Sequence, residues 1–308
     1  MRRLGFTMIE LIFVIVVMGI IGKFGVEFLA QAYKGFIFSN VNHNLQANGE
    51  MAVETIAARL QYRIKDSIIK RRDDNNSFLA MGASIPAAED SKDYNILEWV
   101  SADIDGFRGD SLPNWSGIID LDDSNASSLT SPATDTNATN ALISALSDGN
   151  SGINNAAIYF IGSDTDINNY GWDFTTGAFT DQTNVMHPIR KNDTVGKENL
   201  LIPTTGDNTT DNNFTGVDVY EYYQLAWTAY AVGIDDYDNT DNNGTLSLWY
   251  DYQPWEGENY KTHGKQVTIM NNVSTFQFKS IGSIVKIQVC VNSDLVEDYS
   301  LCKEKTIF

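Results

Sequence analysis

The sequence predicts an α+β fold: one long N-terminal helix, hydrophobic and then amphipathic, packed on an antiparallel β-sheet head with a large irregular insert. Three observations predict it. The run Leu11-Ile-Phe-Val-Ile-Val-Val-Met-Gly-Ile-Ile21 is apolar on every side and carries no charge between Glu10 and Lys23, which suits a helix that water does not surround. Val53, Ile56, Ala57, Leu60, Ile64 and Ile68 recur at spacings of three and four, the signature of one helical face. From residue 219 onward, segments rich in aromatic and β-branched residues alternate with turn clusters, as antiparallel strands do.

The helix is expected from Phe6 to about Arg72. Gly19, Gly22, Gly25, Gly35 and Gly49 each lower helix propensity by up to about 1 kcal/mol, so a bend or loosening is expected near them. A coiled coil is disfavoured, because the stripe is short and the glycines break the heptads. Lys70-Arg71-Arg72 places cations in the last turn, where the helix dipole favours them, and the Asp/Asn cluster behind them ends the helix. Residues 73–218 form the acidic insert. Tyr94–Val100, Ala156–Ile161 and Tyr170–Phe174 read as strands, and a short helix is expected around Asn140 to Leu146. Ser124 to Thr139 equally suits an unstructured stretch. In the C-terminal sheet, residues 219–308, strands are expected at Val219–Val232, Leu246–Tyr252, Val267–Phe278, Ile284–Val291 and Leu301–Phe308.

The net charge is −19 over 308 residues. Residues 1–72 carry ten Lys and Arg against five Asp and Glu; the rest of the chain carries eleven against 35. Phosphates need cations, so no nucleic-acid contact is predicted for the distal part. Cys290 and Cys302 suit one disulfide in an oxidising compartment. If they face each other, the loop between the last two strands runs from about Ser293 to Tyr299, rich in the Asn, Asp and Ser that turns favour. Val285, Ile287, Val289 and Val291 then share one face and Cys290 lies on the other.

Two arginines, Arg2 and Arg3, precede Gly5-Phe6-Thr7-Met8-Ile9-Glu10 and the apolar run. This order resembles the class III signal of type IV prepilins. The resemblance covers about the first tenth of the chain. It implies a leader, residues 1–5, removed after Gly5 by a prepilin peptidase that also N-methylates Phe6, and a filament-assembly role for Glu10. Other readings of the stretch are a secretory signal cleaved near Ala30-Gln31-Ala32, a plain signal anchor, and a buried core helix. Phe6 to Gly25 has about the length a membrane span needs, and Arg2 and Arg3 keep its N-terminus cytoplasmic with the head outside. The C-terminal stretches Tyr222–Trp227, Leu246–Tyr250, Asn272–Phe278 and Val285–Val289 are similar to the W-type minor pilins and the J-type minor pseudopilins of type II secretion. K-type pseudopilins typically lack the glutamate, so Glu10 weighs against that type. The resemblance implies a structural subunit of the inner membrane and then of a pilus or pseudopilus, partnered by other pilins, with no catalysis and no cofactor. Two alternatives stand beside it: a tip-displayed adhesin, and a membrane-anchored periplasmic protein outside any filament.

His43, His187 and His263 are scattered without metal-ligand spacing. Asp236, Asp238 and Asp241 are the best metal candidates, and Asn239-x-Asp241-x-Asn243-Gly244 approaches a calcium-loop start, but its twelfth position is Tyr250 where a bidentate Glu is needed; a solvated hairpin is the plainer expectation. Asp164, Asp166 and Asn168 form a similar cluster. Trp249, Tyr250, Tyr252 and Trp255 suit either a ligand groove or core packing, and core packing is the expectation.

Overall fold

The computed structural model describes residues 7–74, 76–163, 165–296 and 299–308. The leader, Gly5 and Phe6 lie outside them, as does Asp164. Helix α1 spans Met8–Leu60, 53 residues, with no break at any of its glycines. It ends well before Arg72. The backbone beyond Leu60 exchanges helical bonds for sheet bonds: Ile64 N–H donates to Val100 O at 2.8 Å and Ala102 N–H to Tyr62 O at 2.9 Å. Asp66 adopts a left-handed φ of 67°, and the Ser67 hydroxyl donates to Ile64 O at 2.7 Å. Ile64 and Ile68 are nonetheless buried. Their spacing therefore continued the helical stripe although the chain there is no helix.

In chain order the strands of the first half are β1 Ile69–Arg71, β2 Phe78–Ala80, β3 Ile96–Ser101, β4 Asp120–Asn125, β5 Ser128–Thr130, β6 Ala157–Phe160 and β7 Met186–Lys191. Those of the second are β8 Leu200–Pro203, β9 Tyr223–Ala226, β10 Thr228–Asp238, β11 Asn243–Tyr250, β12 Lys265–Ile281, β13 Ile284–Asn292 and β14 Ser300–Ile307. The helices after α1 are α2 Ile104–Arg108 and α3 Thr136–Leu146. Tyr170–Phe174, expected as a strand, instead links two 3-10 turns.

Eight strands make the main antiparallel sheet, in the order β14-β13-β12-β11-β10-β3-β1-β2, and six make a second, β4-β5-β8-β7-β6-β9. The expected single strand Val219–Val232 is two strands, parted at Trp227. Its first half, β9, pairs with β6, and its second half, β10, pairs with β3. The insert is thus threaded through the main sheet, since β3 lies between β10 and β1.

Alternation along the strands explains the layers. Leu97, Trp99, Tyr230, Val232, Leu246 and Leu248 pack with Val53, Ile56, Ala57 and Leu60 of α1. Their neighbours Ile96, Val100, Ala229, Ala231 and Trp249 face the other way, onto Ala157, Tyr159, Tyr170 and Trp172 of the insert. A third core holds Ile158 and Phe160, on the far side of β6, with Ile143 of α3, Leu201 and Phe214. The insert therefore shields the second face of the sheet, which explains why β3 is buried at all six positions.

Cys290 and Cys302 sit opposite each other in the β13–β14 register and are bonded, with Cα atoms 4.0 Å apart. Lys286 pairs with Glu304 at 2.5 Å beside them. Val285, Ile287, Val289 and Val291 face α1. Thiol labelling of denatured, unreduced protein should find no reactive cysteine. Converting both cysteines to serine should lower stability in denaturant titration by about 3 kcal/mol on the chain-entropy argument; an unchanged midpoint would mean that the ladder alone holds the C-terminal strand.

Candidate functional site

Residues Met8 to Phe38 of α1 contain eighteen large apolar side chains that are exposed to solvent. At 1.5 Å per residue these 31 positions run about 46 Å, more than the roughly 30 Å of a bilayer's hydrocarbon. Its most apolar window has a mean hydropathy of 2.3, and none of that window is covered by the rest of the chain. Among the described residues, this is the one helix long and apolar enough to cross a membrane. An exposed apolar surface this large calls for a lipid or protein partner. A Cβ at Gly19, Gly22, Gly25 or Gly35 would meet nothing within 4 Å.

Glu10 stands at the mouth of this surface. The Thr7 hydroxyl accepts from Glu10 N–H at 3.4 Å, and Glu10 Oε2 accepts from Thr7 N–H at 2.9 Å and from the Thr7 hydroxyl at 2.8 Å. This reciprocal capping box satisfies amide donors that a helix start leaves unpaired. Among the described residues no ion pair reaches Glu10, and the first on the helix joins Lys23 to Glu27 at 3.9 Å. The carboxylate that the sequence singled out is therefore exposed and, among the described residues, bound only to its own helix start.

The helix is seated on the head from Phe38 onward. The Phe38 ring meets Tyr299 edge-on at 6.2 Å, and the Tyr299 hydroxyl donates to Asn42 Oδ1 at 3.3 Å. Lys303 pairs with Glu50 at 3.2 Å, and Lys305 pairs with Glu54. Exposed pairs of this kind contribute about 0–1 kcal/mol each, so the apolar stripe beneath carries the docking.

Elsewhere, buried polar groups join the layers of the head. Arg71, expected as a helix-end cation, lies in β1 and is buried against Glu98 of β3, their side chains 2% and 1% exposed. Its guanidinium also donates to Asn76 O at 2.8 Å and Trp172 O at 3.0 Å, and the Tyr252 hydroxyl donates to Glu98 Oε2 at 3.1 Å. Buried Asp251 pairs with Lys265 at 3.0 Å and accepts from the Ser151 hydroxyl at 2.6 Å. These bonds fasten the insert to the main sheet.

Trp249, Tyr252 and Trp255 are buried in the core between the layers, and Tyr250 is half-buried. An apolar cleft lies elsewhere, about 440 Å³, between Tyr62, Phe107, Trp115, Ile118 and Tyr222. Asp103 lies at its edge, where burial pushes the carboxyl up to about 6 against donors from Gly106 and Trp115. Sequence reasoning missed this cleft because its lining comes from five separated segments.

His43 lies on α1, His187 on β7 and His263 ahead of β12. His187 is buried between Phe160 and Phe214, and desolvation pushes its imidazole down to about 4. Among the described residues no three His, Cys, Asp or Glu side chains form a group that could hold a metal ion. Asp236, Asp238 and Asp241 occupy the β10–β11 hairpin without converging, and Asp238 Oδ1 accepts from Thr240 N–H at 2.7 Å. Asp166 caps its own 3-10 turn at Asn168 N. Compared with protein-family models, with curated proteins and with solved structures, the chain matches none. What stands is an α+β protein with one membrane-length apolar helix at its N-terminus and a disulfide in its head.

Proposed function

We propose that this chain is a minor type IV pilin or type II secretion pseudopilin, a subunit that helps initiate or cap a filament outside the cytoplasm. It is made as a prepilin and held in the inner membrane by residues 6–25, with its head on the periplasmic side. The prepilin peptidase cleaves after Gly5 and methylates the new terminus at Phe6. The observation that carries the reading is the bare apolar half of α1 joined to a half that is firmly docked. A subunit that moves from lipid into a helical bundle needs such a surface uncovered by its own head. Glu10 supports the reading as well. It meets no cation among the described residues, and a carboxylate moved into an apolar helix bundle requires one. The amine freed by cleavage of a neighbouring subunit would supply it. A head with two sheets and an insert is too bulky to repeat along a narrow lattice, which favours the tip.

N-terminal mass spectrometry on protein made with a prepilin peptidase tests this. The expected mature chain begins at N-methyl-Phe6, and Gly5→Val blocks cleavage, because a branched side chain no longer fits beside the scissile bond. A mature chain starting after Ala32 would replace this reading with a secreted protein. An uncleaved chain in the presence of the peptidase would replace it with a membrane-anchored one.

A further inference from the structure

The head carries a sequence pattern that the filament reading leaves unused. Nine asparagines are followed two residues later by Ser or Thr with no Pro between, the acceptor pattern for N-linked glycan. Five of them also have an aspartate two residues ahead: Asn75, Asn125, Asn137, Asn213 and Asn243. That acidic extension is the acceptor form that some bacterial oligosaccharyltransferases require. With 40 acidic residues in 308, about one such asparagine in nine would carry it by chance.

The fold separates the four that lie among the described residues. Asn137 is in the first turn of α3, and its partner Thr139 is buried with its hydroxyl donated to Asp135 O at 2.9 Å. Asn243 is half-buried in β11, opposite Asp238. Neither can offer a free amide and a free hydroxyl together. Asn125 and Asn213 can. Asn125 closes the β4–β5 hairpin opposite Ser128, and it is exposed together with Asp123 and Ser127. Asn213, Asp211 and Thr215 are exposed in the irregular chain between β8 and β9.

In both, the amide oxygen accepts the backbone N–H two residues on, at 2.9 Å from Ser127 and 3.0 Å from Thr215. Among the described residues the amide nitrogen of neither makes a hydrogen bond. Among the described residues nothing hydrogen-bonds the hydroxyl of Ser127 or Thr215. The two loops are neighbours, since Phe214 N–H donates to Ala126 O at 2.8 Å. Asp211 accepts two bonds from the Arg190 guanidinium, at 2.7 and 2.8 Å, with its own side chain 61% exposed, so a transferase that reads this aspartate must displace Arg190.

We propose that Asn125 and Asn213 are acceptors for an oligosaccharide delivered from a lipid diphosphate by an oligosaccharyltransferase. The asparagine Nδ2 forms a bond to C1 of the first sugar. The C1–oxygen bond to phosphate breaks, the lipid diphosphate leaves with the electron pair, and one amide proton passes to a base of the transferase. The proposal rests on the part of the functional reading that places the head outside the cytoplasm. Neither acceptor loop lies on the α1 docking face, so glycan there leaves the helix free to assemble.

The test is intact mass of the full chain carrying N75Q, made in bacteria that hold such a transferase and its lipid-linked oligosaccharide. Two equal mass increments are expected. N125Q and N213Q should each remove one and the pair both, as should S127A and T215A, which keep the asparagines. D123A and D211A should act in the same way, while N137Q and N243Q should change nothing. Increments that survive N125Q with N213Q overturn the proposal. Thiol labelling of the same sample separates it from the reading beneath: no increment with bonded cysteines overturns the glycan sites alone, and no increment with two free thiols overturns both.

Discussion

Replacing Glu98 with leucine should lower the thermal midpoint of the protein by roughly 6–20 °C. The change leaves the Arg71 guanidinium buried without its counter-ion, which costs roughly 3–5 kcal/mol, and each kcal/mol moves the midpoint of a body this size by about 2–4 °C. It also takes the acceptor from the Tyr252 hydroxyl. The paired change Arg71→Met with Glu98→Leu should recover much of the loss, since two apolar side chains of similar volume often replace a buried ion pair at little cost. Circular dichroism melts of wild type, single and double variants decide it. A single variant that melts with the wild type would mean that water reaches the pair. A double variant no better than the single would mean that the hydrogen bonds from Arg71 to Asn76 O and Trp172 O, and not the charge pairing, hold the insert.

Glu10→Leu should leave membrane insertion intact and sharply reduce incorporation into filaments. The exposed carboxylate adds nothing to membrane residence, so its loss makes the apolar run slightly easier to insert. In a bundle the missing partner strands the neighbour's ammonium, again at a cost of roughly 3–5 kcal/mol, or about two to nearly four orders of magnitude in an equilibrium. Quantitative blotting of sheared filaments and membranes would read the ratio. A Leu variant that enters filaments at the wild-type level would remove the inter-subunit ion pair from the mechanism. Gln at the same position, which keeps the Thr7 contacts but not the charge, separates capping from pairing.

The parts of the fold legible in the sequence are those where one physical signal dominates. Val53, Ile56, Ala57 and Leu60 show the docked helix face because nothing else competes for that spacing. Val285 to Val291, alternating with Lys286, Gln288 and Cys290, gave both the strand and the face of the disulfide. The helix end was misread because Ile64 and Ile68 are core residues that happen to keep the helical interval; the evidence against helix, the pairing of Ile64 with Val100, lies 36 residues away in the chain. The Tyr222–Ala231 run hid a change of sheet at Trp227, because strands buried on both faces lose their alternation. Strands β2, β4, β5, β7 and β8 were missed entirely. They are short, polar or interrupted by proline, as at Pro188, and only their neighbours define them. Of the candidate site, Thr7, Glu10 and the apolar run could be found by reading alone, whereas the Arg71–Glu98 pair could not, since no local pattern links β1 to β3.

The seating of α1 has a mechanical consequence. Contacts advance together along both elements, from Phe38 and Asn42 at Tyr299, through Glu50 at Lys303, to Glu54 at Lys305. The helix and the last strand thus run side by side in the same direction. Tension along the helix runs parallel to β14, so whatever part of it these contacts pass to that strand loads the eight registered pairs with β13 in shear. They must slip together, unlike a hairpin peeled open one pair at a time. The covalent crosslink between Cys290 and Cys302 spans that same boundary, so a pull that broke every hydrogen bond there would still be opposed by a sulfur–sulfur bond.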